Sequence, residues 1–378
     1  MTRTTRFRAL RWGVPALVVA AIAVTASGVL TATANPPLPS RTAAQLLVDL
    51  ENAQVDGLSG TIQEDARLGL PELPATGPGA GSSLASLLTG SHQLRIWAAG
   101  QNKHRVALLG SLGESDIVQN GKDVWLWDSQ AKTAAHYTLP SEGMPKPESP
   151  LPTGMTPQQA ADAALKAIDP TTAVTTDGTA SVAGRSAYEL VLSPKDAKSL
   201  IGQVRLALDS QTHIPLRVQV FARSNTSRPS FEVGFNRISF AVPGDEQFRF
   251  NPPPGTKVTD GTVPGASGTD KSDRSDKSDK PGSKGKGVAS RVIGTGWTAV
   301  AVIPSVNLTA PDATGTGRDG GNLGELSAIL NRLPQVSGSW GSGRLLAGSL
   351  FSLLLTDDGR LLVGTVAPDV LYQAAGHR

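Results

Sequence analysis

The sequence predicts an α+β protein built on a large antiparallel sheet that has one apolar face. Between residues 94 and 258, apolar and polar side chains alternate in one short segment after another, as in Val204, Leu206 and Leu208. A period of two puts every second side chain on the same side of a strand, so these strands are predicted to be buried on one face and exposed to solvent on the other. The chain also contains 41 glycines and 27 prolines, which suits many turns and at least one linker.

The composition excludes several kinds of site. The 378 residues include no cysteine, which rules out disulfides, cysteine-ligated metals and a lipid-modified cysteine anchor. The first 34 residues carry four arginines and no acid, so without them the formal charge of +3 becomes −1, too neutral for nucleic-acid binding. The five histidines lack partners at metal-ligand spacing, and no P-loop or nucleophile motif occurs. We therefore expect no metal, no cofactor, no nucleic-acid partner and no enzymatic activity.

Residues 1–34 form a predicted leader. Residues 1–11 are basic, residues 12–30 are apolar and uncharged, and Ala32-Thr33-Ala34 fits a signal peptidase site. The apolar run is also long enough to span a membrane. A cleaved signal peptide and a retained N-terminal anchor both stay open, and either one places the rest of the chain outside the cytoplasm.

The first half of residues 35–260, the predicted main domain, begins with a helix and continues in hairpins. Ser40 or Thr42 can cap a helix whose apolar residues between 43 and 50 share one face. A strand over 58–70 and a Pro- and Gly-rich loop over 71–83 follow. Turn residues such as Asn120-Gly121 then separate five predicted strands, over 92–99, 104–109, 115–119, 123–127 and 134–139.

The second half of this domain repeats the pattern after another helix. Thr156-Pro157 opens that helix, and Asp169-Pro170 ends it. A short helix is expected over 194–201. The alternation predicts the remaining strands over 171–182, 187–192, 204–209, 216–222 and 231–240.

A linker and a small C-terminal domain complete the chain. Residues 261–289 mix lysine, aspartate, serine and glycine without apolar residues over 270–280, which predicts a solvated, disordered linker. Residues 290–378 predict a small α+β domain. Its elements are a strand over 296–303, a helix over 323–333, a hairpin of 344–355 with 361–366 that turns at Asp357-Asp358-Gly359, and a helix over 368–375.

The tryptophans of the strand region admit two interpretations. Trp125 and Trp127 share one face of a predicted strand, and Trp97 lies on a strand nearby. Aromatic faces could wall a ligand cavity, since they suit acyl chains and sugars. They could equally be ordinary buried residues of the sheet.

The order of these elements resembles the LolA-type lipoprotein carrier superfamily, which includes LppX/LprG-like lipid carriers and the large domain of RseB. The resemblance rests on "HQLRIWAAGQNKHRV", "IVQNGKDVWLWDSQ", "VRLALDSQTHIPLRVQVF" and "FRFNPPPGTKV" in this order. The ending "GSGRLLAGSLFSLLLTDDGRLLVGTV" resembles actinobacterial LolA-family proteins. The chain departs from many Gram-positive relatives because it has no lipid-modified cysteine, and it has an extra C-terminal domain, as RseB does.

The resemblance implies a half-open antiparallel β-barrel, a curved sheet whose concave apolar side is covered by helices. It also implies a non-enzymatic carrier or sensor. Three hypotheses follow: an extracytoplasmic binding protein for lipid or lipoprotein acyl chains, an RseB-like envelope-stress regulator that binds a membrane protein through its C-terminal domain, and a cell-wall interaction protein with a ligand-free core.

For the first hypothesis, strand parity selects the residues that would line the cavity. A one-residue error in register would move each of them to the other face. The same alternation also fits an ordinary sheet packed on helices. The predicted lining consists of Leu94, Ile96, Val106, Leu108, Leu206, Leu208, Val218, Val220, Val233 and Phe235.

Overall fold

The computed structural model describes residues 38–70, 86–87, 89–110, 113–139, 170–261, 291–303 and 333–377. The described residues from Arg41 onward form one compact unit. Several predicted segments lie outside the described residues: the leader, the loop over 71–83, the helix over 156–168, the linker beyond Gly261 and, apart from Leu333, the helix over 323–333.

Most of the predicted strands are present with nearly the expected bounds. They are β1 (Gly57–Arg67), β2 (Thr89–Ala99), β3 (Lys103–Leu109), β4 (Glu114–Asn120), β5 (Asp123–Asp128), β6 (Thr133–Thr138), β7 (Thr172–Val182), β8 (Arg185–Pro194), β9 (Ile201–Asp209), β10 (Pro215–Ala222), β11 (Phe231–Ser239) and β12 (Lys257–Gly261).

These twelve described strands form one large, curved sheet in the order β12-β6-β5-β4-β3-β2-β1-β11-β10-β9-β8-β7. All neighbours are antiparallel except β6 and β12, which are parallel. Among the described strands, β12 and β7 are the two edges, so the sheet is open. The predicted curved, mostly antiparallel sheet is thus confirmed. Its covering by helices stays a prediction.

Helix α1 (Ala43–Glu51) precedes the sheet and begins as the sequence suggests. The Thr42 hydroxyl accepts a hydrogen bond from the backbone N–H of Gln45 at 3.2 Å, and the Gln45 side chain accepts one from the N–H of Thr42 at 2.9 Å. This reciprocal pair is a capping box, and it satisfies two backbone donors that the first turn leaves free. Of the two candidate caps, Thr42 is the one used. Ala44 and Leu46 are the buried residues of this helix.

A second, smaller sheet contains the C-terminal residues. It consists of β13 (Arg291–Ile293), β14 (Val300–Ile303), β15 (Gln335–Gly338), β16 (Gly341–Ala347), β17 (Ser352–Thr356) and β18 (Leu361–Gly364). The described strands run in the order β13-β14-β18-β17-β16-β15 and are all antiparallel. Helix α2 (Pro368–Gly376) packs on this sheet, with Leu371 against Leu354 and Leu362 in one core.

Several details differ from the predictions. The predicted strand over 296–303 is confined to β14, because residues 296–298 form a 3₁₀ helix that is closed by a hydrogen bond from the N–H of Ala299 to the carbonyl of Gly296. Residues 195–200 form bends and turns between β8 and β9 instead of a helix, because backbone and side-chain hydrogen bonds around Asp196 close a turn there. The predicted long strand over 344–355 is two strands, β16 and β17, joined by a turn at 348–351. Strand β12 has no alternating pattern of its own and forms by pairing with β6.

Candidate ligand-binding face of the larger sheet

One face of the larger sheet, here called the apolar face, carries the predicted lining residues. Residues paired across neighbouring strands project to the same side, and side chains alternate along each strand. In β2 and β3, Leu94 pairs with Leu108, and Ile96 pairs with Val106. Across β9, β10 and β11, Val218 pairs with both Leu206 and Val233.

Strand β1 connects these two groups. Glu64 of β1 pairs with Val233 of β11 on one side and with His92 of β2 on the other. Because His92 and Leu94 are two residues apart on β2, both groups lie on the same side of the sheet. Register and alternation therefore place all ten predicted residues on one face of the sheet.

Phe235 occupies a less regular position. It pairs with Ile62, on the same face, but the register of β11 shifts immediately after it. It packs beside a buried cluster of Val182, Ala187, Ala207 and Leu216. Phe235 thus belongs to the edge of the predicted lining and contributes to a separate core.

Most of the apolar face is only partly covered. Leu108 and Leu208 are 1% and 0% exposed, whereas the other eight predicted residues are half-buried. The face continues beyond the predicted set through further half-buried side chains on β4 to β6, namely Ile117, Val124, Leu126, Ala135 and Tyr137. The sheet therefore presents an apolar surface across at least nine strands with residual accessibility along much of it.

The tryptophans lie on the opposite face of the sheet. Trp97 pairs with Arg105, and Trp125 with Val118, in register positions that alternate with the predicted lining. The ring centroids of Trp125 and Trp127 lie 5.3 and 5.8 Å from that of Phe250. These residues pack under the segment that follows β11, so they do not wall the apolar face.

The opposite face also carries charged side chains that pair with one another, next to buried apolar residues such as Ala107 and Val118. Glu189 accepts hydrogen bonds from Arg217 at 2.9 Å and from Arg205 at 3.3 Å. Asp116 accepts one from Arg105 at 2.6 Å. Burial raises the pKa of Asp116 to about 7 with help from Glu114, against the opposing effect of Arg105. The contrast between a charged face and an apolar one agrees with the alternation in the sequence.

The smaller sheet covers one end of the apolar face. Leu350, in the turn between β16 and β17, is 8% exposed and packs with Ala66 and Ala222, while Phe231 and Val220 border the cluster. The backbone N–H of Ser349 donates to the carbonyl of Leu68 at 2.7 Å.

A second contact lies beside this one. Trp297 borders the same cluster, and its indole Nε1 donates to the Thr172 hydroxyl at 2.7 Å. Neither contact was predicted from the sequence, since the residues involved are far apart in the chain.

A buried pair of Glu64 and His92 interrupts the apolar face. Glu64 Oε2 lies 3.0 Å from His92 Nδ1, and the Glu64 side chain is 5% exposed. Burial raises the pKa of Glu64, against the hydrogen bond and charge of His92. This pair was not predicted from the sequence, although Glu64 stands at an apolar parity position between Ile62 and Ala66, and that break in the pattern was the available signal.

Other kinds of site are not evident in the described part of the chain. No cluster of His, Asp or Glu there has the arrangement of a metal site, and no helix there is long and apolar enough to cross a membrane. A cavity of about 350 Å³ lies away from the apolar face, between Lys198, Arg223 and Asp369 at the start of α2.

Comparison with known protein families finds a match within the larger sheet. Residues 88–233, which include β2 to β10, match the family described as the MucB/RseB N-terminal domain. The resemblance drawn from the sequence motifs is therefore confirmed for this part of the chain. No curated protein matches the chain.

Solved structures that resemble this chain have low sequence identity to it. The MucA/MucB complex of Pseudomonas aeruginosa is 15% identical, with 88% of this chain and 96% of that chain covered and a TM-score of 0.41. An uncharacterized conserved protein of Thermus thermophilus is 13% identical, with 58% and 98% covered and a TM-score of 0.34. The LolA superfamily protein NE2245 of Nitrosomonas europaea is 14% identical, with 56% and 99% covered and a TM-score of 0.20.

Proposed function

We propose that this protein is an extracytoplasmic, non-enzymatic binding protein that holds an acyl chain of a lipid or lipoprotein against the apolar face. The observation that carries the proposal is the broad apolar surface, which includes Leu94, Ile96, Val106, Val218 and Val233 and is only half-buried. The match to the MucB/RseB N-terminal domain supports it, and so does the predicted leader, which would bring the chain to the envelope.

The energetics of such binding require no reactive group. Each methylene that leaves water contributes about 0.8 kcal/mol, so contact with about eight methylenes would supply roughly 6 kcal/mol before ordering costs. The face offers apolar side chains on adjacent strands about 4.8 Å apart. An extended acyl chain could therefore contact several strands in succession.

The first test is native mass spectrometry with lipid extraction on the chain from residue 35 onward, purified without detergent. Stoichiometric lipid, or uptake of an added fluorescent acyl probe, is the expected result. Clean apo protein that takes up no probe would overturn the proposal.

Two matched variants place the ligand on the sheet. Val218→Asp puts a short carboxylate on the apolar face, where an acyl chain would have to desolvate it. Gln219→Asp puts the same charge at the next position of β10, on the opposite face. We expect the first variant to weaken probe binding at least about tenfold and the second to change it less than about twofold. Equal effects would exclude the apolar face as the binding surface.

A regulatory role is the second candidate. It is favoured by the match to the MucB/RseB N-terminal domain together with a second sheet that contacts the larger one. In this case the larger sheet would sense a lipid, and the C-terminal residues would bind a membrane protein of the same envelope. Crosslinking the full chain in its host membrane tests this idea, since recovery of no membrane protein would count against it.

A further inference from the structure

The buried pair of Glu64 and His92 lies at a boundary on the apolar face. On one side, Ala66 packs with Leu350 of the smaller sheet, so that end of the face is covered. On the other side, Ile62 pairs with Leu94, which is half-buried. The Glu64–His92 pair therefore lies where the covered part of the face meets the part that remains accessible.

The hydrogen bonding of Glu64 is incomplete. Oε2 is engaged with His92 Nδ1 at 3.0 Å, but Oε1 is buried and receives no hydrogen bond from any described residue. A buried acceptor without a donor is unfavourable and uncommon in folded proteins. Because Oε1 lies on a face that is otherwise lined by apolar side chains, we look for a ligand group that supplies the missing hydrogen-bond donor.

The chemistry of that group follows from the position of the proton. If His92 holds it, Glu64 is a carboxylate and Oε1 accepts hydrogen bonds. If Glu64 holds it on Oε2 and donates to Nδ1, Oε1 is the carbonyl oxygen and again accepts. In both of these states Oε1 accepts, so a ligand head that carries a hydroxyl or an N–H matches it. A carboxylate head would match only a neutral Glu64 that holds its proton on Oε1.

We propose that Glu64, oriented by His92, anchors the polar end of the ligand by accepting a hydrogen bond from a hydroxyl or an amide N–H adjacent to its acyl chain. This inference rests on the proposed function and names the ligand class within it: acyl compounds that carry a donor at the head. The acyl chain then lies along the accessible part of the face, past Leu94 and Ile96.

The test uses four ligands of the same chain length in competition against a bound fluorescent acyl probe. Monopalmitoylglycerol offers hydroxyls, palmitamide offers N–H groups, methyl palmitate offers no donor, and palmitate offers a carboxylate. For the unaltered protein we expect one or both donor compounds to bind about tenfold more tightly than the methyl ester, since an unmatched buried acceptor is costly. The comparison between glycerol ester and amide then distinguishes the two sources of the donor.

Variants at neighbouring positions complete the test. Glu64→Leu removes the acceptor and is expected to bind the donor compounds and the methyl ester within about twofold of each other, whereas Glu64→Gln retains an acceptor oxygen and keeps a preference. Asp65→Leu, on the opposite face of β1, is the matched control and keeps the full preference. Thermal melts of each variant establish that it is folded.

The outcomes separate the two proposals. If the unaltered protein binds none of the ligands, the proposed function fails. If it binds all of them without preference, or if Glu64→Leu retains the tenfold preference, the anchor is overturned while acyl binding stands.

Discussion

The contact of Leu350 with the larger sheet predicts that the two sheets stabilise each other. Leu350→Ala removes three carbon atoms from a side chain that is 8% exposed and packed with Ala66, Ile201 and Ala222. At about 0.8 kcal/mol for each carbon, the lost burial amounts to about 2.5 kcal/mol. A cavity left between two sheets adds to this, and core substitutions of this type cost about 2–5 kcal/mol. We expect a loss of about 3 kcal/mol in the free energy of unfolding.

The assay is urea unfolding followed by circular dichroism, with the slope of the transition checked for each protein. Leu353→Ala is the matched control, because Leu353 is a half-buried leucine of the same sheet three residues away and outside this cluster. We expect the control to cost about 1 kcal/mol or less. If Leu350→Ala costs less than about 0.5 kcal/mol, or no more than Leu353→Ala, the contact does not stabilise the protein and the reasoning is refuted.

Two further predictions concern hydrogen bonds that hold the sheets. Although burial acts to raise it, hydrogen bonds from Arg185 and from the backbone N–H groups of Thr212 and Gln211 lower the pKa of Asp209 from 3.8 to about 2. Because the pKa is lowered in the folded state, the carboxylate stabilises the fold above pH 4, and this stabilisation is lost as the pH falls through 2. Asp209→Asn should therefore cost about 2 kcal/mol at pH 7 and less than about 0.5 kcal/mol at pH 2 in urea titrations. A pH-independent difference would contradict this. Trp297→Phe deletes the donor to Thr172 and should lower the free energy of unfolding by about 1 kcal/mol. The double variant Trp297→Phe/Thr172→Val should lose less stability than the sum of the two single variants. Strict additivity in this double-mutant cycle would show that the bond is not made.

The apolar face illustrates what local sequence pattern can predict. Alternation in Val204, Leu206 and Leu208 determines which side chains share a side of β9, and turn residues such as Asn120-Gly121 determine which strands are neighbours. Both signals act over a few residues, where backbone geometry leaves few choices. The shared parity of the ten predicted lining residues was therefore available before any tertiary structure was known, whereas their role as a ligand lining stays a prediction.

The Glu64 pair depends on contacts that local pattern does not record. Strand β1 lies between β2, which follows it closely, and β11, which is about 170 residues away in the chain. Only that long-range pairing places Glu64 beside Val233 and connects the two predicted halves of the face. The irregular alternation of β1 left its parity open, so the carboxyl group on the apolar face was not predicted.

The amino-acid sequence by itself predicted the curved, mostly antiparallel sheet, the parity of most of its strands and the resemblance to the superfamily of RseB, because these depend on periodicity and short motifs along the chain. Only the tertiary structure decided that the turn at 348–351 packs on the end of the apolar face and that Ser349 bonds to Leu68. Residues separated by about 280 positions meet because both surfaces are apolar and the compact chain brings them together. Hydrophobic burial is non-directional, so the sequence pattern of either segment does not indicate which other segment it packs against.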